Sequence, residues 1–262
     1  MISFPNAKIN LGLHVLAKRE DGYHDLESCF YPIPWRDSLE IILSETFSFE
    51  SYGLKIPGDA SENLCIKAYE LIKTEFDIPP IDIHLLKSIP MGAGLGGGSA
   101  DGAFMLKLLK EHFKLEISIS KLQEYALQLG SDCPFFIENK PVIAKGRGEV
   151  FEQINLDLTG YFLALKNPGS HISTKEAFAG ISPTNPELRI PEVLQRPIHQ
   201  WRENLVNDFE TSIFPNHPEI GKLKDDMYSA GALYASMTGS GSTVYGIFEE
   251  KPQNSCWMIL EL

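Results

Sequence analysis

Several things are scarce in this sequence, and each scarcity removes a class of protein. No apolar run approaches the ~18 residues that a membrane-spanning helix needs. Basic residues are in deficit, 23 Lys and Arg against 35 Asp and Glu, for a formal net charge of −12. That balance argues against general binding to nucleic acid or an anionic membrane. It does not forbid an anionic substrate, because a local group of N–H donors and a few cations can override the global field. Only four cysteines occur, Cys29, Cys65, Cys133 and Cys256, far apart and with no Cys-x-x-Cys pair. With no long apolar stretch in Met1–Lys8, they read as reduced thiols of a cytoplasmic protein. No repeat or low-complexity tract is visible. What remains is 262 residues, 43% hydrophobic and 22% charged, ordinary for a globular protein of one large or two modest domains.

The stretch around which the rest is arranged is Pro90-Met91-Gly92-Ala93-Gly94-Leu95-Gly96-Gly97-Gly98-Ser99-Ala100-Asp101. Before it, residues 81 to 87 alternate apolar and polar as a strand does. After it, Ala103, Phe104, Leu106, Leu108 and Leu109 suit a helix. Glycines admit positive φ and close approach to the backbone, and a helix start presents unpaired N–H groups. Strand, glycine loop and helix together make a phosphate site. A Walker A loop is excluded, because Gly98 stands where its lysine belongs. Gly92, Gly94 and Gly97 match Gly-x-Gly-x-x-Gly, but no strand ending in an acidic residue follows, as a dinucleotide site requires. A protein-kinase glycine loop leads into a strand, whereas this one leads into a helix.

Residues 7 to 15 alternate cleanly as a half-buried strand. Ile9, Leu11, Leu13 and Val15 lie on one face, Lys8, Asn10, Gly12 and His14 on the other. The polar face reads equally as solvated surface or as a lining for phosphate and hydroxyl groups. Asp21-Gly22 marks a turn before Tyr23 and His24. Residues 39–43 and 47–49 suit short strands, and a helix with Leu64, Ala68, Leu71 and Ile72 on one face follows Ser61 as its cap. Ser120 and Gln123 have capping-box spacing before a helix that ends at Gly130. Asp132 follows in Ser131-Asp132-Cys133-Pro134, either a turn aspartate bonded to its own backbone or a functional carboxylate. Phe135–Ile137 reads as a strand, and residues 142–149 as a strand leading into a turn. Ser173 and Glu176 have capping-box spacing before a helix that carries Phe178. Pro183, Pro186, Pro191 and Pro197 make residues 182–200 loop-rich. Pro218 opens a helix that Gly231 ends. Thr238-Gly239-Ser240-Gly241-Ser242-Thr243 is a second glycine turn between two strands.

The glycine segment resembles the central motif of the galactokinase, homoserine kinase, mevalonate kinase and phosphomevalonate kinase family, the GHMP kinases. Pro5-x-Ala7-Lys8-Ile9-Asn10-Leu11 followed by Asp21-Gly22-Tyr23-His24-Asp25-Leu26 narrows the resemblance to the branch acting on 4-diphosphocytidyl-2-C-methyl-D-erythritol in non-mevalonate isoprenoid synthesis. Gly130-Ser131-Asp132-Cys133-Pro134 resembles that branch's catalytic-aspartate segment, Ile172-x-Thr174-x-x-x-Phe178 its cytosine-stacking segment, and Asn207-Asp208-Phe209-Glu210 its Asn-Asp-x-Glu, to which no catalytic role is given. Met237–Thr243 is similar to the family's third motif, which the resemblance implies packs against the ATP loop and closes the phosphate site.

The resemblance implies an α+β fold in two parts. Residues 1–155 would form a ribosomal-S5-like domain with a left-handed β-α-β crossover, residues 156–262 a ferredoxin-like domain, with the active site in a cleft between them. It implies ATP-dependent phosphorylation of a small alcohol carrying a cytidine diphosphate group. ATP would lie on Pro90, Met91, Gly92, Ala93, Gly94, Leu95, Gly96, Gly97, Gly98, Ser99 and Ala100, with Asn63 near the adenine or serving only its helix. Lys8 and Asp132 would be catalytic, Asn10 would orient substrate or Lys8, and Tyr23 and Phe178 would sandwich cytosine with His24 on its polar edge. Magnesium is implied, with Ser99 and Asp132 as candidate ligands and no identified second acidic one. A monomer and a homodimer stay open. So do a kinase for mevalonate, homoserine or a sugar and a non-catalytic nucleotide-binding relative. Family members usually carry a helix between the last two strands, and only residues 249–255 are available for it here.

Overall fold

A computed structural model describes residues 1–183 and 185–262; Thr184, inside the proline-bearing stretch 182–200, lies outside the described residues. The chain opens with β1 (Ile2–Ser3), β2 (Asn6–Lys18), β3 (His24–Arg36), β4 (Ser38–Leu43) and β5 (Ser48–Gly53). Then come α1 (Leu64–Glu75), β6 (Ile81–Lys87), α2 (Gly97–His112), α3 (Ile119–Leu129), α4 (Phe135–Glu138), β7 (Val142–Gly146), β8 (Val150–Gln153) and β9 (Phe162–Lys166). It closes with α5 (Thr174–Ala179), α6 (Ile190–Leu194), α7 (Phe209–Ile213), α8 (Pro218–Ser229), β10 (Tyr234–Met237), β11 (Val244–Phe248) and β12 (Met258–Glu261). The mixture of segregated sheets and helices is α+β, as expected.

Two compact units form, and neither is one continuous run of sequence. The first comprises residues 1–7, 35–91 and 96–140; the second comprises 8–34, 92–95 and 141–262. The expected cut at residue 155 is therefore not where the compact units divide. The reason is the length of β2 and β3, each of 13 residues, which carry the chain from one unit to the other.

The first unit holds the sheet β1-β4-β6-β5, in which β6 pairs antiparallel with β4 and parallel with β5. Its central strand β6 buries Ile81, Ile83, Leu85 and also Lys87 on one face, as its period of two dictates. Helices α1 and α2 pack closely where Gly102 faces Leu64; a Cβ at Gly102 would stand 2.8 Å from the Leu64 Cβ. Local details differ from expectation. Asn63, not Ser61, caps α1, accepting from the Cys65 N–H at 2.9 Å, because Ser61 is already spent in a 3₁₀ turn on Asp59. Ser118, not Ser120, caps α3. Phe135–Ile137 is helical rather than extended, since a short apolar run fits a buried helix as well as a strand.

The second unit contains the sheet β10-β11-β9-β12 and, from Lys8 onward, the sheet β2-β3-β7-β8. Leu13, Val15, Phe209, Ile213, Ile220, Met227, Ala235 and Val244 share one core. Strand β2 is buried on both faces, not one: Lys8, Asn10 and His14 are 2–3% exposed. Lys8 and Asn10 are tolerated there through bonds to each other, Ser28 and Thr238, while His14 Nδ1 stands 3.4 Å from Asp208 Oδ1. The proline-bearing stretch is less irregular than expected, since α6 forms with Pro191 in its first turn. Among the described residues no helix lies between residue 249 and β12; β12 pairs antiparallel with β9.

Candidate active site

The glycine segment runs as foreseen from β6 into α2. Alternate residues divide the work: Ala93 and Leu95 are buried anchors, while Gly92, Gly94 and Gly96 take φ of +63°, +77° and +69°. Such angles suit glycine alone at low cost, and they leave peptide groups rather than side chains on the loop's outer side. Pro90 and Met91 lead into the segment, and Met91 is 37% exposed. Gly96 is the N-cap of the 16-residue α2 and has no side chain to satisfy the first N–H groups. Gly97, Gly98, Ser99 and Ala100 form its first turn. A Cβ at Gly97 would lie 2.8 Å from Ile89 Cγ2 and 3.0 Å from Lys87 Nζ, so the helix start is pressed onto the strand end.

Beneath that start, in the first unit, is an ion cluster that local sequence patterns did not disclose. Lys87 Nζ donates to Asp37 and, at 2.8 Å, to Asp101, with all three side chains almost wholly buried. Asp37 Oδ1 also accepts the N–H groups of Ser88 (2.5 Å) and Ile89 (2.9 Å). Burial pushes the Asp101 carboxyl up to about 7 against the pull of Lys87. Burial lowers the Lys87 amine, but Asp101 and Asp37 outweigh it and hold the amine above its ordinary value. The cluster thus ties Asp37, between β3 and β4, to β6, to the turn after it and to Asp101 just past the first turn of α2.

The same unit places Asp132 in the turn that follows α3. Its neighbour Cys133 is buried, its thiol is pushed up to about 12 by burial, and that thiol interacts with the Ser99 side chain. Ser99 and Asp132 are therefore both neighbours of one inert cysteine. Among the described residues no group of three or more His, Cys, Asp or Glu gathers as a metal cage. A hydroxyl and a carboxylate are hard oxygen donors. They fit magnesium, which is commonly held by one or two protein groups plus substrate phosphates.

In the second unit, Lys8 joins the loop directly: its backbone N–H donates to Leu95 O at 2.9 Å. Its amine donates to Asn10 Oδ1 at 2.5 Å and stands 4.3 Å from the Phe30 ring centroid. Asn10 is locked in turn, with its Nδ2 donating to Ser28 Oγ at 2.8 Å and its N–H to Thr238 Oγ1 at 3.0 Å. Thr238 Oγ1 donates to Gly94 O at 2.9 Å, and the Thr243 N–H reaches Ala93 O at 3.4 Å. The second glycine turn therefore lies on residues 93 and 94, as the third-motif resemblance implies. A Cβ at Gly94 would sit 2.0 Å from Thr238 O. His171, which sequence reasoning passed over, stands beside Gly92, 3.3 Å from where its Cβ would be.

The aromatic group of the second unit is assembled differently from the expected sandwich. His24 itself stacks on Phe178, with centroids 4.7 Å apart and planes 20° apart. Phe178 meets Phe209 edge-on at 4.8 Å and packs against the core. Tyr23 is 54% exposed and lies under the Arg147 guanidinium, 4.8 Å away. The structure thus brings His24 to Phe178, while the ring facing Phe178 is not Tyr23. Asn63 is placed as the cap of α1, in the first unit.

Known proteins resemble this chain over most of its length. The model for the GHMP kinases N terminal domain matches residues 63–140, and that for the GHMP kinases C terminal matches residues 190–255. The 4-diphosphocytidyl-2-C-methyl-D-erythritol kinase of Bacteroides thetaiotaomicron is 54% identical over 253 residues, 95% of this chain and 92% of that protein. The like-named kinase of Cytophaga hutchinsonii is 51% identical, covering 97% and 94%. A crystal structure of 4-(cytidine 5'-diphospho)-2C-methyl-D-erythritol kinase superposes with a TM-score of 0.83 at 30% identity, covering 94% of this chain and 90% of that one. A homoserine kinase structure from Cytophaga hutchinsonii, at 17% identity and a TM-score of 0.64, shares the fold.

Proposed function

Because the chain belongs to the GHMP kinase family, we propose that this ATP-dependent small-molecule kinase acts on the 2-hydroxyl of 4-diphosphocytidyl-2-C-methyl-D-erythritol. The observation that carries the reading is the bond from the Lys8 N–H to Leu95 O. It fixes a lysine on the rim of a glycine loop that continues into a helix start.

In this reading the ATP phosphates lie along Gly92–Ser99, held by loop and helix N–H groups. The Lys8 amine, oriented by Asn10, offsets the charge that grows on the transferring group. The alcohol oxygen forms a bond to the γ-phosphorus as the bond to the β–γ bridging oxygen breaks, and ADP leaves with that electron pair. The hydroxyl proton passes to the Asp132 carboxylate. Ser99 and Asp132 are the residues that would hold magnesium, which would supply charge neutralisation to the transferring phosphate. Asn63 lies on the adenine side. Tyr23, His24 and Phe178 receive cytosine, which requires His24 to leave the Phe178 face or to share it. The reading places the enzyme in the cytoplasm, as monomer or homodimer; no described helix is long and apolar enough to cross a membrane.

ADP release measured over a panel of alcohols tests the assignment. The cytidine-bearing methylerythritol should be turned over, and methylerythritol phosphate, mevalonate, homoserine and galactose should be poor acceptors. Equal turnover of mevalonate or homoserine would sink it.

A further inference from the structure

The segment Asn207–Glu210 is buried and bonded in a way that capping a short helix does not require. Asn207, 1% exposed, spends both amide hydrogens on backbone carbonyls of the second glycine turn, Met237 O and Gly239 O, each at 2.8 Å. Its Oδ1 accepts the Phe209 N–H at 3.0 Å, so its hydrogen-bonding capacity is directed wholly at main chain. Glu210 Oε1 accepts the Met237 N–H at 2.8 Å and the Ser236 hydroxyl at 3.0 Å, while Lys224 donates to its Oε2. On the other side, Asp208 accepts the Val15 N–H at 2.8 Å, and residues 206 and 208 exchange backbone bonds with Leu13. One tetrapeptide therefore clamps both the strand that carries Lys8 and the turn that carries Thr238.

The consequence reaches the loop through peptide geometry. Thr238 Oγ1 holds Gly94 O, and the Thr243 N–H holds Ala93 O. In a planar trans peptide the C=O and the following N–H point opposite ways. Pinning the carbonyls of Ala93 and Gly94 toward the turn therefore aims the N–H groups of Gly94 and Leu95 away from it. Successive amides so directed form an anion-binding concavity. Backbone packing leaves no slack, since a Cβ on Gly239 would lie 3.2 Å from Gly94 Cα.

We propose that Asn207, seconded by Glu210, is a positioning residue for ATP: it holds the Thr238–Thr243 turn so that the Gly94 and Leu95 amides face the phosphates. The proposal rests on the kinase reading and adds a residue that touches neither nucleotide nor alcohol.

Asn207→Asp keeps the shape and the Phe209 bond but presents a carboxylate to two carbonyl oxygens. Two hydrogen bonds lost beside a buried charge should weaken ATP binding about ten- to a hundredfold by calorimetry. Affinity for the cytidine-bearing alcohol should stay within about twofold, because its aromatic group does not depend on the turn. Thr238→Val, which removes only the hydroxyl link to Gly94 and Asn10, should reproduce the same split if the first variant fails to fold. ATP affinity unchanged in the folded variant, or parallel losses for ATP and alcohol, would overturn the proposal. The ATP titration is run without alcohol, so a wild-type chain that binds ATP yet releases no ADP with the cytidine-bearing alcohol would count against the function and not against this inference.

Discussion

The glycine segment is supported at two places by two different kinds of chemistry. Under Gly97 and Asp101 lies a buried cluster of one lysine and two aspartates. Behind Gly94 lies a relay of neutral bonds through Thr238, the turn and Asn207. A buried ion cluster is costly to assemble and far costlier to break, because removing one member strands charge in a medium that cannot solvate it. A neutral bond is worth about 0.5–1.5 kcal/mol net, and its value is directional. The first support fixes where a helix begins. The second sets which way two peptide groups point. Stability should be concentrated in one and ligand affinity in the other.

The largest expected effect comes from a change that touches neither support. Asp132→Asn keeps the turn and the loop but loses charge and basicity. General-base assistance is worth ~10²–10⁴-fold, so kcat should fall by that order while ATP and alcohol still bind. Rapid-quench measurement of phosphoryl transfer decides this, and near-normal kcat would remove Asp132 from the mechanism.

Lys87→Met attacks the ionic support. Stranding the partner of a buried pair costs about 3–5 kcal/mol, and the lower end is expected because Asp101, already raised to about 7, can take up a proton. Urea unfolding should show that loss. It should shrink as pH falls from 8 toward 6, since protons replace the missing cation and the carboxyls then carry less charge. A loss that grew with acidity would contradict the assignment of the cluster.

Phe178→Ala leaves both supports intact and removes a stacking face. Base stacking is worth ~1–3 kcal/mol, so alcohol affinity should drop roughly ten- to a hundredfold with ATP affinity unmoved. Normal alcohol affinity in a destabilised protein would make Phe178 a core residue only, in line with its packing on Phe209.

What could be read from sequence, and what could not, follows the same division between local and distant. The order β6, loop, α2 was legible because alternation, glycine and helical spacing each act within a few residues. The strand carrying Lys8 and Asn10 was legible for the same reason, though burial of its polar face was not, since Ser28 and Thr238 lie far along the chain. Asp37 is 50 residues from Lys87, and Asn207 is 30 from Met237, so neither support leaves a local pattern. The displaced caps at Asn63 and Ser118 show a subtler limit: several residues of capping type stood in each stretch, and before α1 the 3₁₀ turn on Asp59 decided among them. The His24–Phe178 stack, made by residues 154 apart in sequence, depends on tertiary placement that no spacing encodes.

In the proposed kinase reading the glycine segment holds phosphate through the conformation at Gly94. Gly94→Ala puts a methyl group 2.0 Å from Thr238 O at a residue with φ of +77°, so the loop and the turn must part. Calorimetric titration of this variant with ATP is the direct test. Affinity lower by about a hundredfold, in a protein that still unfolds cooperatively, is the predicted result. Wild-type ATP affinity in that variant would contradict the account.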